Sequence, residues 1–193
     1  MWYKNTSLKP KHGMDAQKKL LVLAFKRPDP KDPWINHLAA WWCHGFCHVE
    51  LILETVGKER LAFSIEGGGK SRMAVKTFAG EDYKFVELIV SMDEHKRVCD
   101  FCDSAAYAKY PYGNLAMVLA ILPSGCVSSR SSKLWGTFCS KIVTEALQRG
   151  GLEEVETLNP SYTTPATLFR AVERSKRRTT DPLPSAGLLE AWV

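Results

Sequence analysis

Long hydrophobic runs are absent from this chain of 193 residues. The longest apolar stretch, residues 115–122, falls far short of the roughly 20 residues that a membrane-spanning helix requires. The first apolar stretch, residues 20–25, is also shorter than the apolar region of a secretory signal. We therefore expect a cytoplasmic protein that has neither a signal peptide nor a transmembrane segment.

Cysteine is scarce as well, because six cysteines in a chain of this length are too few for a disulfide scaffold. Disulfides are not expected in a reducing compartment, so these cysteines serve core packing, metal binding or catalysis. Neither sign of charge dominates: 26 basic side chains stand against 21 acidic ones, which gives a net charge of +5. This mild excess permits a weak contact with an anionic membrane surface, and no motif indicates specific binding of nucleic acid.

Strand-like patterns come first in the chain and helical patterns follow, which is typical of an α+β fold. We expect four of the strands to form an antiparallel meander, with the run at 20–25 as a candidate fifth strand. Apolar residues nearly surround the first helix, which predicts packing on both of its sides. The predicted strands are 20–25, 46–53, 61–65, 73–78 and 83–90, and the predicted helices are 34–42, 93–108, 114–121, 138–148 and 165–174.

The two ends of the chain differ in composition from its middle. Residues 1–19 are polar and show no hydrophobic period, and the residues from 176 onward are basic and contain proline. We expect a flexible leader over 1–19, one domain over 20–175 and a mobile basic tail over 176–193.

Cys139 begins a predicted helix in the segment FCSKIVTEAL. Unpaired backbone N–H groups and the positive end of the helix dipole favour a thiolate at this position, and a thiolate is a nucleophile. The same N–H groups can stabilise the oxyanion that forms when an acyl carbon is attacked. A cysteine that only packs in the core is the other interpretation of this position.

His48 lies near the beginning of a predicted strand, where an imidazole can project into a cleft and act as the base for a thiol. If the following hairpin turns at Gly57, Glu66 lies directly opposite His48 on the same face of the sheet. Glu50 is on that face too, where it faces Ser64, and it competes with Glu66 for orienting the imidazole. This polar face is either the wall of an active site or an ordinary solvent face.

Five short segments follow one another in a characteristic order: HVEL at 48–51, SIEG at 64–67, KYPYG at 109–113, FCSKIV at 138–143 and TP at 164–165. They resemble the motifs H-V-G-I, V-I-E-A or L-E-A, G-K-P-Y-D, Y-C-S-E-L-V and S-P or T-P. These motifs belong to the circularly permuted branch of the NlpC-type papain-like cysteine hydrolases, in particular the YiiX-like proteins. The resemblance covers about residues 46–172.

The resemblance implies a permuted papain-like fold in which an antiparallel sheet is followed by packed helices. It also implies a thiol hydrolase or acyltransferase that works through a thioester, with a peptide, an amide or an acyl lipid as substrate and with no cofactor. The nucleophile would be Cys139, the general base His48 and the orienting residue Glu66. The further candidates for contacting substrate or holding the oxyanion are Tyr112, Glu50 and Ser140.

Two positions depart from the family motifs, although neither belongs to the triad. Gly113 stands where the family has aspartate, and Lys141 stands where it has an acidic residue. The lysine puts a positive charge near the thiol, which favours the thiolate.

Two alternatives to a cysteine hydrolase remain. One is a zinc-stabilised domain that binds nucleic acid, since sulfur and nitrogen ligands are available at Cys43, His44, Cys47, His48, Cys99 and Cys102. Against it, the last two cysteines lie in a predicted amphipathic helix, where this spacing is ordinary for core residues. The other alternative is a domain of the same fold that binds an acyl or peptide ligand without turnover.

Overall fold

The computed structural model of the protein describes residues 18–65, 70–78, 82–109 and 137–177. The predicted helix over 114–121 lies outside the described residues, and so do Glu66, Tyr112 and Cys126.

One antiparallel sheet of five strands forms the centre of the described fold, in the order β4-β3-β2-β1-β5. With the helices that follow it, this sheet confirms the predicted α+β class. The strands are β1 (Lys18–Lys26), β2 (His48–Val56), β3 (Glu59–Ile65), β4 (Ser71–Lys76) and β5 (Tyr83–Ser91).

The predicted four-strand meander is correct for β2, β3 and β4 and wrong for β5. Strand β5 pairs with β1 along its whole length, from Lys18↔Ser91 to Lys26↔Tyr83. Consecutive strands are usually neighbours in a sheet, but here β5 pairs with the edge of β1 that faces away from β2 instead of pairing with β4. The continuous apolar run of β1 fits this place, because residues 21–25 are all buried between neighbours on both sides.

At the end away from its turn, the β2–β3 hairpin has the register that was expected, although the residues near the turn are paired differently. Leu51 pairs with Phe63 and Ile52 with Ala62, as a turn centred on Gly57 requires. Nearer the turn, however, the pairs are shifted by one residue, and a bulge between Ile52 and Glu54 absorbs the shift. A one-residue slip without this bulge would turn every side chain of the strand to the other face.

Helices α2, α3 and α5 cover one face of the sheet and form the main core with it. The N-terminus of α2 is held by a capping box between Ser91 and Glu94, and Thr164 caps α5 by accepting from the backbone of Thr167. The helices are α1 (Trp34–Trp42), α2 (Met92–Ala105), α3 (Cys139–Gly150), α4 (Glu153–Glu156) and α5 (Pro165–Glu173), with a short 3₁₀ turn at Pro160–Tyr162.

The prediction that α1 packs on both of its sides is wrong. Ala39 and Ala40 are buried, but Trp34, Leu38 and Trp41 are exposed. Among the described side chains of this helix, small ones are therefore buried and the largest apolar ones are exposed.

Residues at both ends of the described part of the chain are held by the fold. Lys18 is the first residue of β1, and Arg177 is attached at the other end. Its guanidinium donates to Glu94 at 2.6 Å and lies 3.4 Å from Glu154, and its carbonyl accepts from the backbone of Ile89. Within the described ranges, no helix is long and apolar enough to cross a membrane.

Candidate functional site

A polar cluster occupies the beginning of β2 and the end of β3, on the sheet face away from the main core. His48 Nε2 lies 2.9 Å from the hydroxyl of Ser64 and 3.7 Å from Oε1 of Glu50. Glu50 is 2% exposed, and its other carboxylate oxygen accepts from Lys76 Nζ at 2.6 Å. The predicted grouping of His48, Glu50 and Ser64 on one face is therefore present, with Lys76 added from β4.

The partners of His48 Nε2 decide which ring nitrogen carries the proton. The hydroxyl of Ser64 can donate to the carbonyl of Val49 at 3.4 Å, and in that arrangement its oxygen accepts from the imidazole at 2.9 Å. A carboxylate oxygen of Glu50 on the same side also favours a proton on Nε2. We therefore assign the proton to Nε2, which leaves the lone pair on Nδ1.

The environment of His48 keeps its imidazole neutral at physiological pH. Burial is the largest cause and lowers the pKa of His48 to about 4, while the nearby charge of Glu50 opposes this shift. Lys76, Lys26 and Arg72 add to the lowering. A neutral imidazole with a free Nδ1 lone pair is the form that can accept a proton.

Cys139 approaches the same strand from the other face of the sheet. It is the first residue of α3, follows Phe138 at the N-cap and belongs to the main core. Its thiol is hydrogen-bonded by the backbone of Val49, the residue after His48, and by the backbone of Ser140. Strand β3 pairs with β2 only from Leu51 onward, so Val49 lies beyond the end of that ladder.

The expectation of a thiolate at Cys139 is wrong for this conformation. The residue is 4% exposed, and burial raises the pKa of its thiol to about 12, although the two backbone hydrogen bonds act in the opposite direction. A helix N-terminus stabilises an anion by only about 1–2 kcal/mol, which is less than the desolvation of a fully buried thiolate costs. The resting site therefore holds a thiol and a neutral imidazole.

The predicted site residues are brought together only in part. Cys139 meets the backbone of β2 next to His48, but no hydrogen bond joins its thiol to the His48 ring. Ser140 is fully buried, and its hydroxyl donates to the carbonyl of Thr163 at 2.6 Å. Glu66 and Tyr112 lie outside the described residues, so among the described carboxylates Glu50 is the one beside the imidazole.

Sequence reasoning missed Lys76, the cation that balances Glu50. The alternation of β4 carried the signal, because Arg72 and Lys76 stand on the strand face that also holds Ser64. A buried carboxylate needs a counter-charge, and the basic residues of the segment SRMAVK are placed to supply it.

The cysteines proposed as zinc ligands lie apart in the fold. Cys102 is in the main core and Cys99 packs beside it, whereas Cys47 belongs to a separate cluster with Ala39 and Ala40. Cys47 also donates to the carbonyl of Lys26. In the part of the chain that the structure describes, no group of three or more histidine, cysteine or acidic residues could hold a metal ion, and the five described cysteines are free thiols.

Comparison of the chain with models of protein families, with curated proteins and with solved structures found no match.

Proposed function

We propose that the protein is a thiol hydrolase or acyltransferase in which Cys139 is the nucleophile and His48 the general base. The observation that carries the proposal is the place of Cys139 at the N-terminus of α3, against the backbone of the residue that follows His48. The resemblance of the five motifs to permuted papain-like hydrolases supports the same assignment.

In the proposed reaction the lone pair of His48 Nδ1 takes the proton of the Cys139 thiol as the sulfur attacks a carbonyl carbon. Backbone N–H groups at the N-terminus of α3 stabilise the oxyanion of the tetrahedral intermediate. The C–O or C–N bond then breaks, and the leaving group takes the proton from the imidazolium. Water or an amine attacks the resulting thioester and releases the thiol, which completes the cycle.

Glu50 is the described residue that can orient and stabilise the imidazolium during this cycle. Its carboxylate lies 3.7 Å from Nε2, the nitrogen that carries the proton in the resting state. Ser64 supplies the direct hydrogen bond at 2.9 Å, so the ring is held from the side opposite to Nδ1. The resemblance assigns the orienting role to Glu66, and testing both carboxylates separates the two assignments.

The reaction requires a change from the resting geometry. Cys139 is 4% exposed, and its thiol is not hydrogen-bonded to His48, so substrate binding must open the site and bring the imidazole to the sulfur. Catalytic hydrogen bonds that are long in a resting enzyme commonly form in the substrate complex. Opening also lowers the thiol pKa, because it removes the burial that raises it.

The burial of the thiol favours one second candidate, a domain that binds an acyl or peptide ligand without turnover. A neutral, enclosed Cys139 can line a ligand pocket without reacting. Cysteine often serves in this way as a buried apolar residue. Candidate substrates of the enzyme and candidate ligands of the binding domain are the same: peptides, amides and acyl lipids.

A thiol-directed acyl probe distinguishes the two functions. We expect selective labelling of Cys139 in the wild-type protein, and a fall in its rate of at least about 100-fold in His48→Ala. Glu50→Gln and Glu66→Gln test the orienting residue, and the correct one slows labelling without changing the labelled site. Cys99→Ala is the matched control, because Cys99 is partly exposed and far from the cluster in sequence.

Equal labelling of all cysteines, or labelling of Cys139 that is unchanged in His48→Ala, would contradict the enzyme. Release of the acyl group from Cys139 in wild-type protein supports turnover. A ligand that is bound but never acylates Cys139, and that binds equally well to Cys139→Ala, supports the binding domain instead.

A further inference from the structure

Helix α1 presents a row of large apolar side chains to solvent. Trp34 is 73% exposed, Leu38 is 42% exposed and Trp41 is 75% exposed. Their spacing of four and three residues places them on one side of the helix, and we call them the α1 stripe. Exposed large apolar groups in a continuous row are uncommon on a free surface and mark a place of interaction.

A cationic cleft adjoins the α1 stripe. Its volume is about 830 Å³, and it lies between α1 with the turn that follows it and helix α5. Trp41 belongs to both features, so the stripe and the cleft are continuous. The charged and titratable residues that line the cleft are Arg27, His37, His44, Lys84, Arg170 and Glu173.

The charge of this cleft is not balanced within the described part of the chain. Lys84 pairs with Glu173 at 3.0 Å, which neutralises the single carboxylate of the lining. Arg27 has no described carboxylate partner and lies over the ring of Phe46 at 6.0 Å. Arg170 is exposed near the C-terminus of α5 and likewise pairs with no described carboxylate. The two arginines therefore give the cleft a net positive charge.

We propose that the α1 stripe and the cationic cleft together form a docking surface for a bilayer that contains anionic lipids. Tryptophan prefers the boundary between headgroups and acyl chains, because its ring is apolar and its N–H remains hydrogen-bonded. A short helix with an apolar row and neighbouring cations lies in the plane of that boundary. Charge complementarity assigns the surface to lipid headgroups that carry negative charge.

This inference goes beyond the proposed function and does not depend on it. The docking surface contains neither Cys139 nor any residue of the polar cluster around His48. Its failure would leave the thiol chemistry intact, and loss of the thiol chemistry would leave the docking surface intact.

Co-sedimentation of the full chain with vesicles tests the proposal. One set of vesicles contains phosphatidylcholine alone, and the other contains phosphatidylcholine and phosphatidylserine at a molar ratio of roughly 2 to 1. We expect binding to the second set only, and weaker binding as salt is added, because exposed charges are screened.

Two double variants separate the apolar and the electrostatic parts of the surface. Trp34→Ser with Trp41→Ser is expected to weaken binding by at least about tenfold, because the apolar contact is lost. Arg27→Gln with Arg170→Gln is expected to weaken it by about 25-fold, from about fivefold for each cation. Circular dichroism of each variant checks that its fold is retained.

Matched controls remove the same kinds of group elsewhere. Tyr107→Asn removes an aromatic side chain that is 65% exposed, and asparagine tolerates the positive φ of 67° at that position. Lys58→Gln removes an exposed cation from the β2–β3 turn. Both controls, and Cys139→Ala, are expected to bind vesicles as the wild-type protein does.

Three results would overturn the proposal. The first is equal sedimentation with both sets of vesicles or with neither. The second is release of bound protein by inorganic phosphate at constant ionic strength, which would assign the cleft to a soluble anion. The third is a dimer in light scattering that becomes a monomer in Trp34→Ser with Trp41→Ser, which would assign the stripe to a second copy of the chain.

Discussion

His48 makes the stability of the fold depend on pH in a direction that the structure determines. Burial lowers its pKa from the ordinary value of 6.5 to about 4, so the folded protein holds a neutral imidazole where the unfolded chain binds a proton. Between these two values the unfolded state binds more protons, and stability is therefore lost as the pH falls from about 6.5 to about 4. Above about pH 6.5 the imidazole is neutral in both the folded and the unfolded state, so His48 no longer makes stability depend on pH.

The size of the effect follows from the shift and from the exposure of the side chain. A shift of this size corresponds to about 3 kcal/mol at most. About a quarter of the side chain, 26%, is exposed to solvent, which screens part of the penalty. We therefore expect acidification to cost the wild-type protein about 1–3 kcal/mol more than a variant that lacks the imidazole.

Urea unfolding of wild type and His48→Gln across this pH range measures the difference. Glutamine keeps a hydrogen-bonding group beside Ser64 and carries no titrating proton, and subtraction of the two curves cancels all carboxylates that both proteins share. His37→Gln, which removes an exposed imidazole, is the control for loss of a histidine. If the two curves stay parallel from about pH 7 to about pH 4, the folded protein does not hold His48 as a neutral, desolvated imidazole, and the predicted pH dependence is refuted.

Two further predictions concern packing and charge. Gly150→Ala is expected to lower the free energy of unfolding by about 1–2 kcal/mol despite the better helix propensity of alanine, because the new Cβ would lie 2.5 Å from Val98 Cγ2. Adding Val98→Ala should remove this clash and restore stability, as measured by thermal unfolding. A Gly150→Ala protein that is more stable than wild type would contradict the close approach of Val98 to Gly150. Lys76→Met is expected to cost about 2–3 kcal/mol by leaving the charge of Glu50 buried without its partner. Adding Glu50→Gln should recover most of that loss in a double-mutant cycle, and strictly additive losses would count against the buried ion pair.

Local patterns predicted most elements of the fold, because each depends on a few neighbouring residues. The predicted helix over 165–174 corresponds to α5, and the strand-like runs at 46–53, 61–65 and 73–78 correspond to β2, β3 and β4. The partner of β5 could not be predicted in this way, since the choice between the edges of β1 and β4 depends on which edge buries more apolar surface. The exposure of α1 is also a property of the assembled fold, because an apolar helix can face either a core or a partner.

The register of the β2–β3 hairpin is a different case, because the prediction succeeded although its premise was incomplete. A turn centred on Gly57 predicts Glu50 and Ser64 on one face, and they are on one face. The real turn shifts the strands by one residue, and the bulge after Ile52 shifts them back. No rule of turn geometry requires that bulge, although it decides whether the polar cluster forms.

The place where the β2–β3 ladder ends connects the two halves of the candidate site. Strand alternation puts the His48 cluster on one face and Cys139 with the main core on the other, so a direct approach through the sheet is impossible. The ladder starts only at Leu51, which leaves the backbone of Val49 accessible to the N-terminus of α3. In the proposed reaction, the imidazole at the first residue of β2 has to move around the end of the strand to meet the thiol. In the proposed enzyme, the absence of β3 from the start of β2 is as necessary as the cysteine, because extending the β2–β3 ladder to Val49 would separate base from nucleophile.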